Sequence, residues 1–218
     1  MNPFVNIHTH NSRVDNKEFI EIINIDVDNL VNVDVPFLYS LGIHPWSSAI
    51  HVYEILRSWS LGDLNLKAIG ECGIDRACGI DFKIQKDVFI KQIEMSEHYS
   101  KPMIIHAVRS HSDILSIRKE TKAKMPWIIH GFHGNEQIVS QYLRHNIYLS
   151  IGDVLFKNEL RAAELLKLIP SERLFLETDD SDRSIVEVYE KSSVLSGRSL
   201  DDLRNVIFNN FVKIFGKI

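Results

Sequence analysis

The 218 residues carry 25 Lys and Arg against 29 Asp and Glu, a formal charge of −4, with 44% hydrophobic and 25% charged side chains. That balance excludes an intrinsically disordered chain and a broadly cationic nucleic-acid coat, and the length fits one barrel-type domain over residues 1–218. Two cysteines, Cys72 and Cys78, are too few for a disulfide framework and suit a reducing compartment.

Short apolar runs recur along the chain at 4–7, 19–25, 37–41, 66–69, 103–105, 127–129, 147–151 and 174–176. Most are continuous rather than alternating, as in strands buried on both faces of a parallel sheet. Only about eight polar residues, 11–18, separate the first two runs, too few for an ordinary crossover helix. The first helix is therefore expected to be reduced or missing. Residues 81–100 place Phe82, Ile84, Val88, Phe89, Ile93 and Met95 among polar neighbours, which predicts one apolar helical stripe. Residues 136–144 and 157–168 read as helices in the same way. Residues 199–215 open with Ser-Leu-Asp-Asp and carry Leu203, Ile207, Phe211 and Ile214. Strand–helix alternation with eight strand candidates predicts an α/β fold, a compact (β/α)8 TIM-type barrel. The N-terminal MNPFVNIHTHN has neither a basic segment nor a long apolar core, so no leader is expected. No apolar run approaches the roughly 18 residues of a membrane span, so a cytoplasmic protein without a membrane partner is expected.

Chemistry-bearing residues follow the apolar runs. His8 and His10 end the first, His44 the third, Glu71 and Asp75 the fourth, and His106 and Arg109 the fifth. His130 and His133 follow the sixth, and Glu177, Asp179 and Asp180 the eighth. In a parallel barrel all strand C-termini open on one rim, so residues spread over the chain converge there. Imidazoles suit Zn, Ni, Fe and Mn, while carboxylates suit Mg and Mn and can bridge ions. Four histidines with a glutamate and an aspartate exceed one open tetrahedral site and suit two ions. No phosphate-loop, dinucleotide or nucleophile-elbow motif is present, so neither a nucleotide cofactor nor a serine nucleophile is indicated.

These residues resemble the TatD-like metal-dependent hydrolases, the TatD deoxyribonuclease family of amidohydrolase-like barrels. The motifs are His8-Thr-His10, Gly42-Ile-His44-Pro45, Ala68-Ile-Gly-Glu71-Cys-Gly-Ile-Asp75 and Pro102-Met-Ile-Ile-His106-Ala-Val-Arg109. They continue as His130-Gly-Phe-His-Gly134, Leu149-Ser-Ile-Gly152 and Leu176-Glu-Thr-Asp179, with the Gln85, Phe89 and Gln92 spacing and the tail Asn209 to Gly216. The resemblance implies one or two divalent ions, Mg, Mn, Zn or Ni. Of the metal ligands, it assigns His8, His10 and Asp179 to one ion and His106 and His130 to a second, with Glu71 bridging. Asp179, Glu71 and His44 are the implied catalytic residues. His44, Arg109, His133 and Glu177 are the candidates for substrate binding. The implied reaction is phosphodiester hydrolysis by a metal-activated water, of the TatD deoxyribonuclease type, on a phosphoester such as a DNA strand end. The chain departs from the family in having Asn6 where Asp is usual, His133 where Ser is frequent, and an acidic run from Asp179 to Asp182 in place of a proline-containing loop. Two other readings share the metal-capable residues: an amidohydrolase or lactonase acting on a small carbonyl substrate, and a non-catalytic ligand-binding barrel. A phosphate substrate predicts cationic donors near the site; a small amide predicts an apolar pocket.

Overall fold

The computed structural model describes residues 1–11, 17–26, 37–47 and 63–216. Its strands are β1 (Phe4–Thr9), β2 (Phe19–Asp26), β3 (Tyr39–Gly42), β4 (Leu66–Asp75), β5 (Met103–Val108), β6 (Trp127–Ile129), β7 (Ile147–Ile151) and β8 (Leu174–Leu176). They form one sheet in chain order. The β1–β2, β3–β4, β4–β5 and β7–β8 pairings are parallel. Beyond β8 the chain returns to β1: the Asp179 amide donates to the His8 carbonyl and the His10 amide to the Asp179 carbonyl, each at 3.1 Å. This is the strand order of the expected (β/α)8 fold. The expected loss of the first helix concerns residues 11–18, of which 12–16 lie outside the described residues.

The helices are α1 (Phe82–Tyr99), α2 (His111–Thr121), α3 (Glu136–Arg144), α4 (Val154–Lys157), α5 (Glu159–Leu168), α6 (Ile185–Ser196) and α7 (Leu200–Phe215). Among the described residues no helix is long and apolar enough to cross a membrane. By packing, the chain divides into two compact units, Met1–Ile23 with Ile129–Ile218, and Asn24–Ile128.

In the first unit, continuous apolar strands bury Val5, Ile7, Leu149, Ile151, Phe175 and Leu176. The β1–β2 register advances from Asn6↔Glu21 to Thr9↔Ile23, so β1 gains one residue in a bulge at Ile7 and His8. The helix read from the sequence at residues 157–168 is α5, which starts at Glu159, with Lys157 closing the short α4 before it. Asn158 adopts φ −151°, ends α4, and accepts the Arg161 amide as the N-cap of α5. The capping box of Ser184 and Glu187 starts α6, and Ser199 caps α7 through the Asp202 amide. Leu203, Ile207 and Phe211 are the buried stripe of α7.

In the second unit, β4 is longer than its apolar run and continues through Glu71 to Asp75 with all but one of its residues buried. Its register against β5 shifts between Ile69↔Met103 and Cys72↔Ile105, another one-residue bulge beside a carboxylate. Strand spacing is tight here. A Cβ on Gly42 would sit 2.7 Å from main-chain atoms of Gly70 and Glu71, and one on Gly73 would overlap the His106 carbonyl. Asp81 caps α1 through the Lys83 and Ile84 amides, and Ser100 ends it in the left-handed region. The buried face of α1 differs from the predicted stripe. Ile84 is exposed, whereas Gln85 and Gln92 are buried with Val88, Phe89, Ile93 and Met95. The α2 helix lies outside the helical segments read from periodicity. Cys72 and Cys78 are both free thiols.

Candidate active site

The first unit gathers His8, His10, His130 and Asp179. The bulge in β1 buries the His8 ring completely, while the His10 side chain stays 35% exposed. Both rings reach one carboxylate oxygen: His8 Nε2 lies 3.3 Å and His10 Nε2 3.5 Å from Asp179 Oδ1. The His130 ring centroid is 4.5 Å from that of His8. One ligand atom each from His8, His130 and Asp179 lies within 4.8 Å of the others. This groups His130 with His8 and Asp179, whereas the family resemblance assigns it to the second ion. Asp179 occupies the left-handed region at φ 54°, which Asp tolerates better than most residues. Burial opposes its ionisation. Hydrogen bonds from His10 and His8 and the charges of His8 and His130 outweigh that effect and hold the carboxyl well below the usual carboxylate range.

Glu177 is fully buried. Its Oε1 accepts the Gly131 amide at 2.5 Å and lies 3.5 Å from His130 Nδ1, so it sets the segment carrying His130. Asn6, in place of the family's Asp, is buried and satisfied. Its amide donates to Thr178 Oγ1 at 2.9 Å and Glu21 Oε1 at 3.4 Å and accepts the Thr178 amide at 3.1 Å. An aspartate could make neither donation and would face the Glu21 carboxylate. The neighbourhood thus explains the amide.

Beside Asp179 lies a cavity of about 530 Å³, lined by Gly131, His133, Asn158, Lys157, Arg161 and Asp153 among others. His133 is exposed and its Nδ1 donates to the Gly131 carbonyl at 3.0 Å. Arg161 donates to the Gly134 carbonyl and, at 2.8 Å, to Glu164. Lys157 pairs with Asp153 one helical turn away. Sequence reasoning found His133 but missed Lys157, Asn158 and Arg161. The available signal was the polar break at Asn158 inside an otherwise helical pattern.

The second unit gathers His44, Glu71, His106 and Asp75. Glu71 Oε1 lies 3.1 Å from His44 Nε2 and 2.6 Å from His106 Nδ1, and His106 Nε2 lies 3.2 Å from Asp75 Oδ2. The Trp46 amide donates to His44 Nδ1 at 3.2 Å, which leaves the ring proton on Nε2, facing Glu71. His44, Glu71 and His106 again offer ligand atoms within 4.8 Å of one another. Arg109 is exposed after β5 with φ 50°.

The supports of this cluster are main-chain clamps. The Asn24 Oδ1 accepts the Glu71 amide at 2.7 Å, a role invisible in an apolar run. Gln85 accepts the Asp75 amide at 2.8 Å and donates to the Asp75 carbonyl at 3.1 Å. Gln92 does the same for Ile43, the residue before His44, at 2.7 and 3.1 Å. Seven residues apart on α1, the two glutamines share one face. Asp75 is buried, which disfavours its charge. The Trp46 indole, the Ala77 amide and His106 nonetheless hold it below its ordinary range.

Each cluster fits a divalent ion by its donor chemistry, since imidazole nitrogens and a carboxylate oxygen converge within ligating reach in both.

A model of the family described as TatD related DNase matches residues 26–216. The chain is 36% identical over 151 residues to the uncharacterized metal-dependent hydrolase YabD of Bacillus subtilis, covering 66% of this chain and 58% of that protein. It is 31% identical over 147 residues to the 3'-5' ssDNA/RNA exonuclease TatD of Cronobacter sakazakii, covering 63% and 55%. In both, the match spans little more than half of the relative's own length. Among solved structures, a hydrolase TatD family protein from Entamoeba histolytica superposes with a TM-score of 0.80 at 18% identity, over 99% of each chain. It shares the fold.

Proposed function

The chain belongs to the TatD-related DNase family, and from that premise we propose that it is a divalent-metal-dependent phosphodiesterase acting on single-stranded nucleic-acid ends. The observation that carries the substrate class is the cavity beside Asp179, where His133, Lys157 and Arg161 supply cationic or neutral donors. An anionic phosphodiester matches such a lining better than a small amide does.

His8, His10, His130 and Asp179 would hold one ion; His44, Glu71 and His106 would hold a second. Bound there, the ions would supply Lewis acidity toward water and toward phosphate charge. The rest is the work of side chains. Asp179 stays ionised because His8 and His10 face it, so it keeps an acceptor for the attacking water and receives its proton. Lys157 and Arg161 take up phosphate charge at the cavity wall. His133, held through Nδ1 on the Gly131 carbonyl, donates from Nε2 to a phosphate or leaving oxygen in its imidazolium form. The Trp46 amide and Glu71 fix the tautomer and orientation of His44. Glu177 sets His130 through the Gly131 amide.

The test is metal-dependent hydrolysis. Protein stripped of metal is reloaded separately with Mg, Mn, Zn or Ni and given single-stranded DNA, a chromogenic phosphodiester, a phosphomonoester, and a lactone or amide panel. A Glu71→Gln variant runs in parallel. Cleavage of DNA or the phosphodiester that the variant loses is the expected result. Turnover confined to the lactone or amide panel refutes the phosphate assignment, and metal uptake with no turnover refutes the enzyme assignment.

A further inference from the structure

Trp46 stands apart from the other exposed large apolar side chains among the described residues. It is 62% exposed in the 3-10 turn Pro45–Ser47, yet it is not free to move. Its Nε1 donates to Asp75 Oδ2 at 2.7 Å, and its amide donates to His44 Nδ1. Its ring centroid lies 4.6 Å from that of His44 and 5.9 Å from that of His106, edge to face in both cases. A solvent-facing indole normally samples several rotamers. This one is anchored at its polar edge by a buried carboxylate, and most of its surface remains open to solvent.

We infer that the Trp46 indole is a stacking platform for a nucleobase of the substrate, seated directly beside the His44–Glu71–His106 cluster. The inference rests on the phosphodiesterase reading and adds a base contact to it. Three observations carry it. The indole is large, planar and exposed, and every nucleobase has a face to lay on it. The Asp75 bond removes its rotamer freedom before any ligand arrives, so little ordering remains to be done on binding. The edge-to-face contacts place the ring against both imidazoles, so a base on the indole has its own phosphodiester next to the groups assigned to the ion. Stacking of this kind tolerates any base, so the platform sets a requirement for a base without setting which one.

The experiment uses the full chain loaded with its working metal. Rates are measured on a single-stranded oligonucleotide and on the same oligonucleotide with abasic terminal positions, for the parent, Trp46→Ala and Trp46→Phe. The expected result is a KM about 10-fold higher for Trp46→Ala on the base-bearing strand, with kcat within about twofold. Little difference between the proteins is expected on the abasic strand, and Trp46→Phe should recover most of the loss. A second measurement needs no turnover. The chain has a third tryptophan, Trp59, so emission is read in a Trp59→Phe background. Deoxyadenosine monophosphate should quench it, deoxyribose 5-phosphate should not, and the quench should vanish when Trp46→Phe is added, because the remaining Trp127 is fully buried. An equal loss on both strands, or a quench that survives in the Trp46→Phe/Trp59→Phe double variant, overturns the platform. A base-dependent quench in a protein that hydrolyses no phosphodiester keeps the platform and refutes the catalytic reading instead.

Discussion

Replacing Gln92 by methionine tests how the position of His44 is held. Gln92 is fully buried, and its amide group makes both of its hydrogen bonds to the backbone of Ile43. Methionine fills a similar volume but offers neither donor nor acceptor of comparable strength. The Ile43 N–H and C=O, themselves buried, lose these partners, and each such loss costs about 1–3 kcal/mol. Relief from burying the glutamine amide itself offsets part of this, which leaves a net destabilisation of about 2–4 kcal/mol. For a chain of this length 1 kcal/mol moves Tm by about 2–4 °C, so the fall should be roughly 5–15 °C. Thermal and urea unfolding of the metal-free protein measure it, with Lys91→Met on the exposed face of α1 as a control expected to stay within about 0.5 kcal/mol. A Tm within about 2 °C of the parent, at an unchanged urea m-value, would show that α1 does not hold the Ile43 backbone and would refute the clamp.

Asp179→Asn keeps a residue that tolerates the left-handed backbone, so the fold should persist while metal-dependent turnover falls by about 100-fold or more; circular dichroism and initial rates together check this. Asn6→Asp should cost about 1–3 kcal/mol in the metal-free protein, because two donations vanish and a carboxylate meets Glu21. Adding Glu21→Gln should return part of that loss, and a double-mutant cycle by urea unfolding reads the coupling; a more stable Asn6→Asp single variant contradicts it. Burial, with a smaller contribution from the Glu71 charge, pushes the Cys72 thiol well above its ordinary range. Iodoacetamide at pH 8 should therefore modify only Cys78 in the folded protein and both thiols in urea, as read by peptide mass. Equal native labelling rates at the two cysteines would be the contrary outcome.

The sequence made the hydrophobic strands legible and left the site's interior hidden. The runs at 127–129, 147–151 and 174–176 coincide with β6, β7 and β8, because a strand buried on both faces has no reason to be polar. The run at 66–69 covers only the start of β4. The strand continues through Glu71 and Asp75, and the apolar signal stops where the functional side chains begin. The run at 37–41 begins two residues before β3, and Phe37 is exposed. Which residues share a rim follows from strand order, but how deep each side chain sits does not. His130 therefore stands with His8 and Asp179, a neighbour relation that periodicity cannot supply. The spacing of Gln85 and Gln92 is visible in the sequence. Their work is not, since a polar residue on an apolar stripe reads as an interruption until its backbone partner is known. Asn24 and Trp46 were silent for the same reason: each acts through a hydrogen bond to a residue distant in the chain.

The close approach of β3, β4 and β5 limits how this site could be re-engineered or could drift. At Gly42 and Gly73 even a methyl group would collide with the main chain of the next strand, so the backbones that carry His44, Glu71 and His106 have no adjustable spacer between them. A lineage or a designer seeking a different ion cannot widen or narrow the cluster by trading small residues for large ones at these positions. The accessible moves are changes of donor atom at the three proposed ligand positions and changes in the residues that aim them. Metal preference in such a framework should therefore change in discrete chemical steps, with the distances among its strands passing unaltered from one variant to the next.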